Sequence, residues 1–174
     1  MNIETQRNMM GVVKKFDQND HDIYDELAKT SMLNFLNRKL KKFNLVTKEN
    51  PNRYGIDLLT FNSLCKVVHC WELEVRYGNW QGDIDFPFKE INCIERKDYQ
   101  WRKDDEFVSK IPFPLSSDFK VTYVQLNKEC TRAVMIDSDV ILRYPLKQWD
   151  NRKSKGEYVR QVPITDTVQV KLVK

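Results

Sequence analysis

The stretch "CKVVHCWELEVRY", residues 65–77, decides how the chain is read. It opens on an apolar run, and then charges alternate with apolar side chains: Glu72, Glu74 and Arg76 stand apart by Leu73 and Val75. A period of two argues for a β-strand. On a strand, residues i, i+2 and i+4 share a face. Cys70, Glu72, Glu74 and Arg76 therefore line one side, and Val67, His69, Trp71, Leu73 and Val75 the other. The second set is apolar enough to be the core side, packed against a helix. Its length and its Val, Trp and Cys content place the strand centrally in a sheet. The charged side has two readings. Either it meets solvent, with Arg76 as salt-bridge partner to the glutamates, or something there requires charge. Isolated buried carboxylates are costly unless paired or metal-bound.

Upstream, "NDHDIYDELAKTSMLNFLNRKLKKFNL" (19–45) predicts a helix over about 20–43. Asn19 or Asp20 can cap it, acids fill its first turn and Lys and Arg its last. Ile23, Leu27, Met32, Phe35, Leu36, Leu40 and Phe43 keep helical spacing. "TKENPNRYG" then breaks the chain with Pro and Gly. "IDLLTF" (56–61) reads as a strand joined to the central one by a short turn at "NSL".

Downstream, "GNWQGDID" is a loop, "FPFKEINCIERK" resumes a strand, and "DYQWRKDDEFVSK" fits a short helix or a charged loop. "FKVTYVQLN" and "TRAVMID" form a hairpin around "KEC". "SDVILRYPLKQW" is a short capped helix, "DNRKSKG" a basic loop, and "EYVRQVPI" and "VQVKLV" close as strands. The order predicts a mixed α/β or α+β domain whose sheet starts mainly antiparallel. A loosely packed start, residues 1–18, precedes a single domain over 19–174.

The 174 residues suit one domain with a sizeable core. Hydrophobic residues make up 41% and charged residues 31%, the balance of an ordinary globular chain. The net charge of +4 is mildly basic and compatible with nucleic acid. Cys65, Cys70, Cys93 and Cys130 form no CxxC pair, and Cys65, His69, Cys70 and Cys93 match no usual zinc spacing. Reduced thiols and a cytoplasmic location follow as the default. No stretch approaches the roughly 18 apolar residues of a membrane helix.

Asp57 is the single acid in the otherwise apolar "IDLLTF" strand. If that strand pairs with the strand of Glu74, Asp57 stands beside the glutamates. Two or three converging carboxylates suit a hard divalent cation such as magnesium. Bound to phosphate oxygens, such a cation acts as a Lewis acid and lowers the pKa of an attacking water.

This layout resembles the PD-(D/E)xK nuclease superfamily. The likeness rests on the acid of "YGID", Asp57, a hairpin, and the acid-x-base element of "ELEVR", Glu74 and Arg76, all after a long helix. It implies a restriction-endonuclease-like mixed β-sheet flanked by helices and a metal-dependent DNA endonuclease. Mg2+, or Mn2+ in its place, would sit on Asp57 and Glu74, with Glu26 of the first helix as a further acid. The family's lysine position holds Arg76, which cannot act as a base. Glu72, or Lys97 in "IERK", would take over that part. Arg96, Lys103, Arg152, Lys153 and Lys155, from basic segments with interleaved aromatics, would contact DNA. The alternative is an inactive protein of the same fold that binds DNA or a protein partner. With no long apolar stretch, no membrane association is expected, and a homodimer stays open. A Lys- and Asn-rich chain of this size suits a phage enzyme acting in the host cytoplasm.

Overall fold

The structure, a computed structural model, describes residues 7–8, 11–12, 18–76, 78–149 and 156–172. The expected loose start, 1–18, falls mostly outside them. Within it, β1 (Arg7–Asn8) and β2 (Gly11–Val12) form a two-rung antiparallel ladder. The long helix α1 spans Gln18–Leu40, so Asn19 and Asp20 lie inside its first turn rather than ahead of it. A 3-10 turn, Lys41–Phe43, ends it, closed by Asn44 at φ 56°. Asn tolerates this left-handed conformation better than most residues.

β3 (Val46–Glu49), β4 (Leu58–Phe61) and β5 (Val67–Arg76) follow, then β6 (Glu90–Ile94). Two short helices, α2 (Asp98–Trp101) and α3 (Asp105–Ser109), occupy the segment that the sequence left between helix and loop. β7 (Leu115–Asn127), β8 (Arg132–Asp137), α4 (Ser138–Ile141), β9 (Leu146–Gln148), β10 (Tyr158–Pro163) and β11 (Val168–Lys171) complete the chain.

Six strands form one mixed sheet in the order β11-β8-β7-β5-β4-β3. β5 pairs antiparallel with β4 and parallel with β7, so the central placement predicted for it is what the chain adopts. β7 and β8 form the expected hairpin. β6 does not rejoin this sheet; it pairs with β10 in a separate three-stranded sheet, β6-β10-β9. The result is a mixed α+β fold with a long N-terminal helix. Besides β1 and β2, two strands escaped the sequence reading. β3 is a polar edge strand, VTKE, with a buried Thr47 and exposed neighbours, so it carries no apolar alternation. β9 is only three residues long and follows a proline.

One face of the large sheet packs on α1. Ala28, Met32, Phe35 and Leu36 meet Leu58, Trp71, Leu73, Val124 and Leu126. Ile23 and Phe43, counted in the apolar stripe from spacing alone, are exposed, and Leu27 is 37% exposed. The first turns of α1 instead bring Tyr24, Asp25, Ala28 and Lys29 to the rim of a cleft. The other sheet face packs Leu59, Cys70, Val121 and Tyr123 against Ile91, Cys93, Trp101 and Phe107. The charged side of β5 is therefore roofed at Glu72, which is only 8% exposed, while Glu74 and Arg76 are half-buried and open on the cleft. This corrects the solvated-face reading.

Arg160 on β10 ties that roof down. Its Nη2 donates to Asp98 Oδ2 at 2.6 Å and its Nε to Asp98 Oδ1 at 3.1 Å, with both residues 7% exposed. A forked, buried guanidinium–carboxylate pair fixes the start of α2 against the small sheet. Asp98→Ala leaves the guanidinium buried and unpaired. We expect it to cost about 3–5 kcal/mol in urea unfolding. Joint replacement, Asp98→Leu with Arg160→Met, should cost much less.

Candidate active site

β4 and β5 are in register with Leu58 opposite Trp71. One step further puts Asp57 opposite Glu72, a choice between the two glutamates that the sequence had left open. Alternation along β4 sets Asp57 on the face of Leu59, which is also the face of Cys70, Glu72 and Glu74 on β5. Asp57 Oδ2 accepts a hydrogen bond from the Leu73 backbone N–H at 2.7 Å, which anchors it across the two strands. Burial first, and then the negative charge of Glu72, push the Asp57 carboxyl up to about 7.

Lys97 closes the group. It lies at the end of a 3-10 turn, Glu95–Lys97, just after β6, and not on a strand as expected. Its Nζ stands 2.6 Å from Glu72 Oε1 and 3.9 Å from Glu74 Oε2. Burial alone would lower the pKa of this ammonium, but Glu72, Glu74 and Asp57 outweigh it, and the pKa is raised. Lys97 is thus a held cation. Gln100 Nε2 donates to the second oxygen of Glu72 at 3.2 Å, so both Glu72 oxygens are engaged.

Glu74 is set differently. Its Oε2 accepts from the Tyr123 hydroxyl at 2.6 Å, and that hydroxyl accepts from Gln125 Nε2 at 2.8 Å. Burial and then Glu74 itself raise the Tyr123 pKa well above its ordinary value, so the phenol keeps its proton and donates. Among the described residues, Asp57 Oδ1 and Glu74 Oε1 accept no hydrogen bond. Tyr123, Gln125 and Gln100 were missed by sequence reasoning. For the first two the signal existed: Tyr123, Gln125 and Asn127 alternate along β7. The parallel register that puts Tyr123 beside Glu72 and Gln125 beside Glu74 is a tertiary fact.

These side chains form part of the wall of one cleft of about 1250 Å³, lined by Asp25, Asp57, Glu72, Glu74, Arg76 and Lys97 among others. The helix acid at the cleft is Asp25, bonded to Lys29 at 2.7 Å; Glu26 is more exposed, 3.7 Å from the same lysine, and lies off the cleft wall. Arg76 lies over the rings of Phe86 and Phe88, 5.6 and 5.4 Å from their centroids. Trp80 and Phe86, ahead of β6, are buried in the core. Arg96 lines the cleft. Lys103 does not: it takes a positive φ of 55° and its Nζ lies 3.9 Å from Asp139 and 5.5 Å from the Phe119 ring. Arg152, Lys153 and Lys155 lie outside the described residues. Arg160, in the same basic stretch, is buried on Asp98 and unavailable to a ligand.

Among the described residues, no group of three or more His, Cys, Asp or Glu side chains is placed to hold a metal ion. All four cysteines are free thiols, with Cys65 exposed and the others buried. Burial pushes the Cys70 thiol up to about 12. Among the described residues, no helix is long and apolar enough to cross a membrane.

No protein-family model matches the chain, and no curated protein does. Among solved structures, it is similar to a nuclease from a fusselovirus, at 10% identity, a TM-score of 0.44 and coverage of 90% of this chain and 89% of the other. That likeness is too slight to carry an argument.

The raised Asp57 pKa has a consequence for stability. Between about pH 4, where a carboxyl in the unfolded chain titrates, and about pH 7, the folded state holds a proton that the unfolded state has lost. Stability therefore falls as pH rises through that window and stays reduced above it. Asp57→Asn keeps an oxygen for the Leu73 N–H and removes the charge. We expect it to raise the unfolding free energy by about 1–3 kcal/mol at pH 8 and to change it little at pH 4. Denaturant melts at the two pH values measure this.

Proposed function

We propose that the protein is a metal-dependent nuclease of the PD-(D/E)xK type that hydrolyses DNA phosphodiester bonds. The observation that carries this reading is the convergence of Asp57, Glu72, Glu74 and Lys97 on one wall of the cleft. Three carboxylates and one ammonium from three segments are costly to gather unless they act together. The family pattern lacks its lysine on β5, because Arg76 stands there. Lys97, brought from the next segment, supplies an ammonium at the same acids.

The donor set fits a hard divalent cation. Magnesium is commonly held by one or two carboxylates together with water and substrate phosphate, so a three-residue cage is not required. Asp57 and Glu74, each with an oxygen free of hydrogen bonds among the described residues, would hold Mg2+, or Mn2+ in its place. When bound, such a cation supplies Lewis-acid charge at the phosphate and a water of lowered pKa. The chain's own residues do the rest. Tyr123 and Gln125 hold Glu74 in place. Glu72 and Gln100 aim the Lys97 ammonium, which stays protonated at neutral pH and donates to a phosphate oxygen as charge develops there. Lys97 is thus an electrostatic stabiliser and not the base.

The second reading, an inactive binder of the same fold, draws on the same contacts. Lys97 already compensates Glu72 and stands near Glu74, so a divalent cation must compete with it. Cleavage of a labelled oligonucleotide with magnesium or manganese separates the two. We expect activity in the wild type, a loss of at least about 100-fold in Asp57→Ala and Glu74→Ala, and a loss of about 10²–10³-fold in Lys97→Met. Equal activity in wild type and both alanine variants rules out the assignment. No cleavage, together with no rise in melting temperature on adding metal, supports the inactive reading.

A further inference from the structure

The cations of the cleft divide into two kinds. The lysines are spent on acids: Lys29 on Asp25 at 2.7 Å and Lys97 on Glu72 at 2.6 Å. The arginines are not. Among the described residues, Arg53, Arg76 and Arg96 line the cleft with no carboxylate in ion-pair range. Arg76 is the most built of the three. It is half-buried at the end of β5, two residues beyond Glu74, and its guanidinium lies over both the Phe86 and Phe88 rings. Its Nε is buried and has no hydrogen-bond partner. A guanidinium held by ring faces alone is fixed in position yet keeps its forked N–H groups for an anion. Asn127, opposite Arg76 on β7, donates to Gly82, Glu129 and Thr131, and its Oδ1 accepts from the Thr131 and Arg132 backbone N–H groups, so its own oxygen is already taken.

We infer that Arg76 grips a backbone phosphate of a single nucleic-acid strand, next to the phosphate at the acid cluster. The identification of the ligand as nucleic acid rests on the nuclease reading. The single strand is favoured because two aromatic side chains, Phe88 and Trp149, line the same cleft as the arginines, and aromatic rings beside a cationic groove are the usual stacking platform for unstacked bases. Arg53 and Arg96, from the loop before β4 and the turn after β6, extend the positive track. The arginine at the family's lysine position thus acts in substrate binding and orientation, while Lys97 serves the acids.

The test is fluorescence anisotropy of a labelled single-stranded oligonucleotide with the full chain in EDTA, over a range of salt concentrations. We expect Arg76→Met, which keeps an apolar stem between the rings, to weaken binding about tenfold and to lower the salt slope by about 0.7, one phosphate contact. Arg76→Lys should fall between, since it keeps charge and loses the fork. It also serves if the Met variant fails a melting check for folding. Lys48→Met, an exposed lysine off the cleft, should leave affinity and slope unchanged. The inference is overturned if Arg76→Met binds like wild type, or if Lys48→Met lowers the slope as much. It is overturned too if wild type fails to bind, if duplex of the same sequence binds tighter than the single strand, or if inorganic phosphate or a mononucleotide competes as well at equal phosphate. Cleavage is not read in EDTA. A wild type that binds in the expected way but never cuts with magnesium therefore removes the nuclease reading and leaves the strand grip standing.

Discussion

The contact between the Lys97 ammonium and Glu72 is the constraint on which the rest of the molecule turns. Glu72 sits in the middle of a central strand, roofed by a second layer, where an unpaired carboxylate is costly. Its compensation has to arrive from that second layer. The turn carrying Lys97 and the helix carrying Gln100 therefore need fixed positions over β5, and the Arg160–Asp98 pair supplies one anchor for them. The small sheet β6-β10-β9 follows from the same need, since it carries Arg160 on one strand and leads into Lys97 from another. Charge placed on β5 has shaped the architecture on one whole side of the sheet.

The three carboxylates are not equivalent, and their surroundings account for the difference. Glu72 has both oxygens occupied by Lys97 and Gln100 and works as a support. Glu74 is held at one oxygen by a phenol that cannot easily lose its proton. Asp57 is anchored by a backbone N–H, and burial and then the charge of Glu72 raise its pKa. The division of cations has the same logic. The lysines neutralise acids inside the cleft, and the arginines that line it carry no ion pair among the described residues.

Much of this was legible in the chain. The long helix, the β4–β5 pair, the β7–β8 hairpin and the last two strands follow from periodicity and turn residues, because one-sided burial writes itself directly into sequence. β3 was not legible because its buried positions are polar. Thr47 bonds Thr60 at 2.8 Å and Asn37 holds the β3 backbone at 2.7 Å, so hydroxyl and amide groups do there what apolar side chains do elsewhere. The apolar stripe of α1 was read one turn too far in each direction, since spacing cannot tell a helix face over a sheet from one beside a cleft.

The sequence by itself determined the strand of Glu72, Glu74 and Arg76, its two faces, and the presence of Asp57 one strand away, because a period of two needs no partner to be read. It could not determine what covers the charged face, which glutamate Asp57 meets, or which lysine joins them. Those depend on the register between β4 and β5, on the parallel pairing of β5 with β7, and on a second layer in which β6 pairs with β10 from more than sixty residues away in the chain. Long-range pairings of this kind leave no local periodicity, and only the folded chain reveals that Lys97, rather than Arg76, is the cation at the acids.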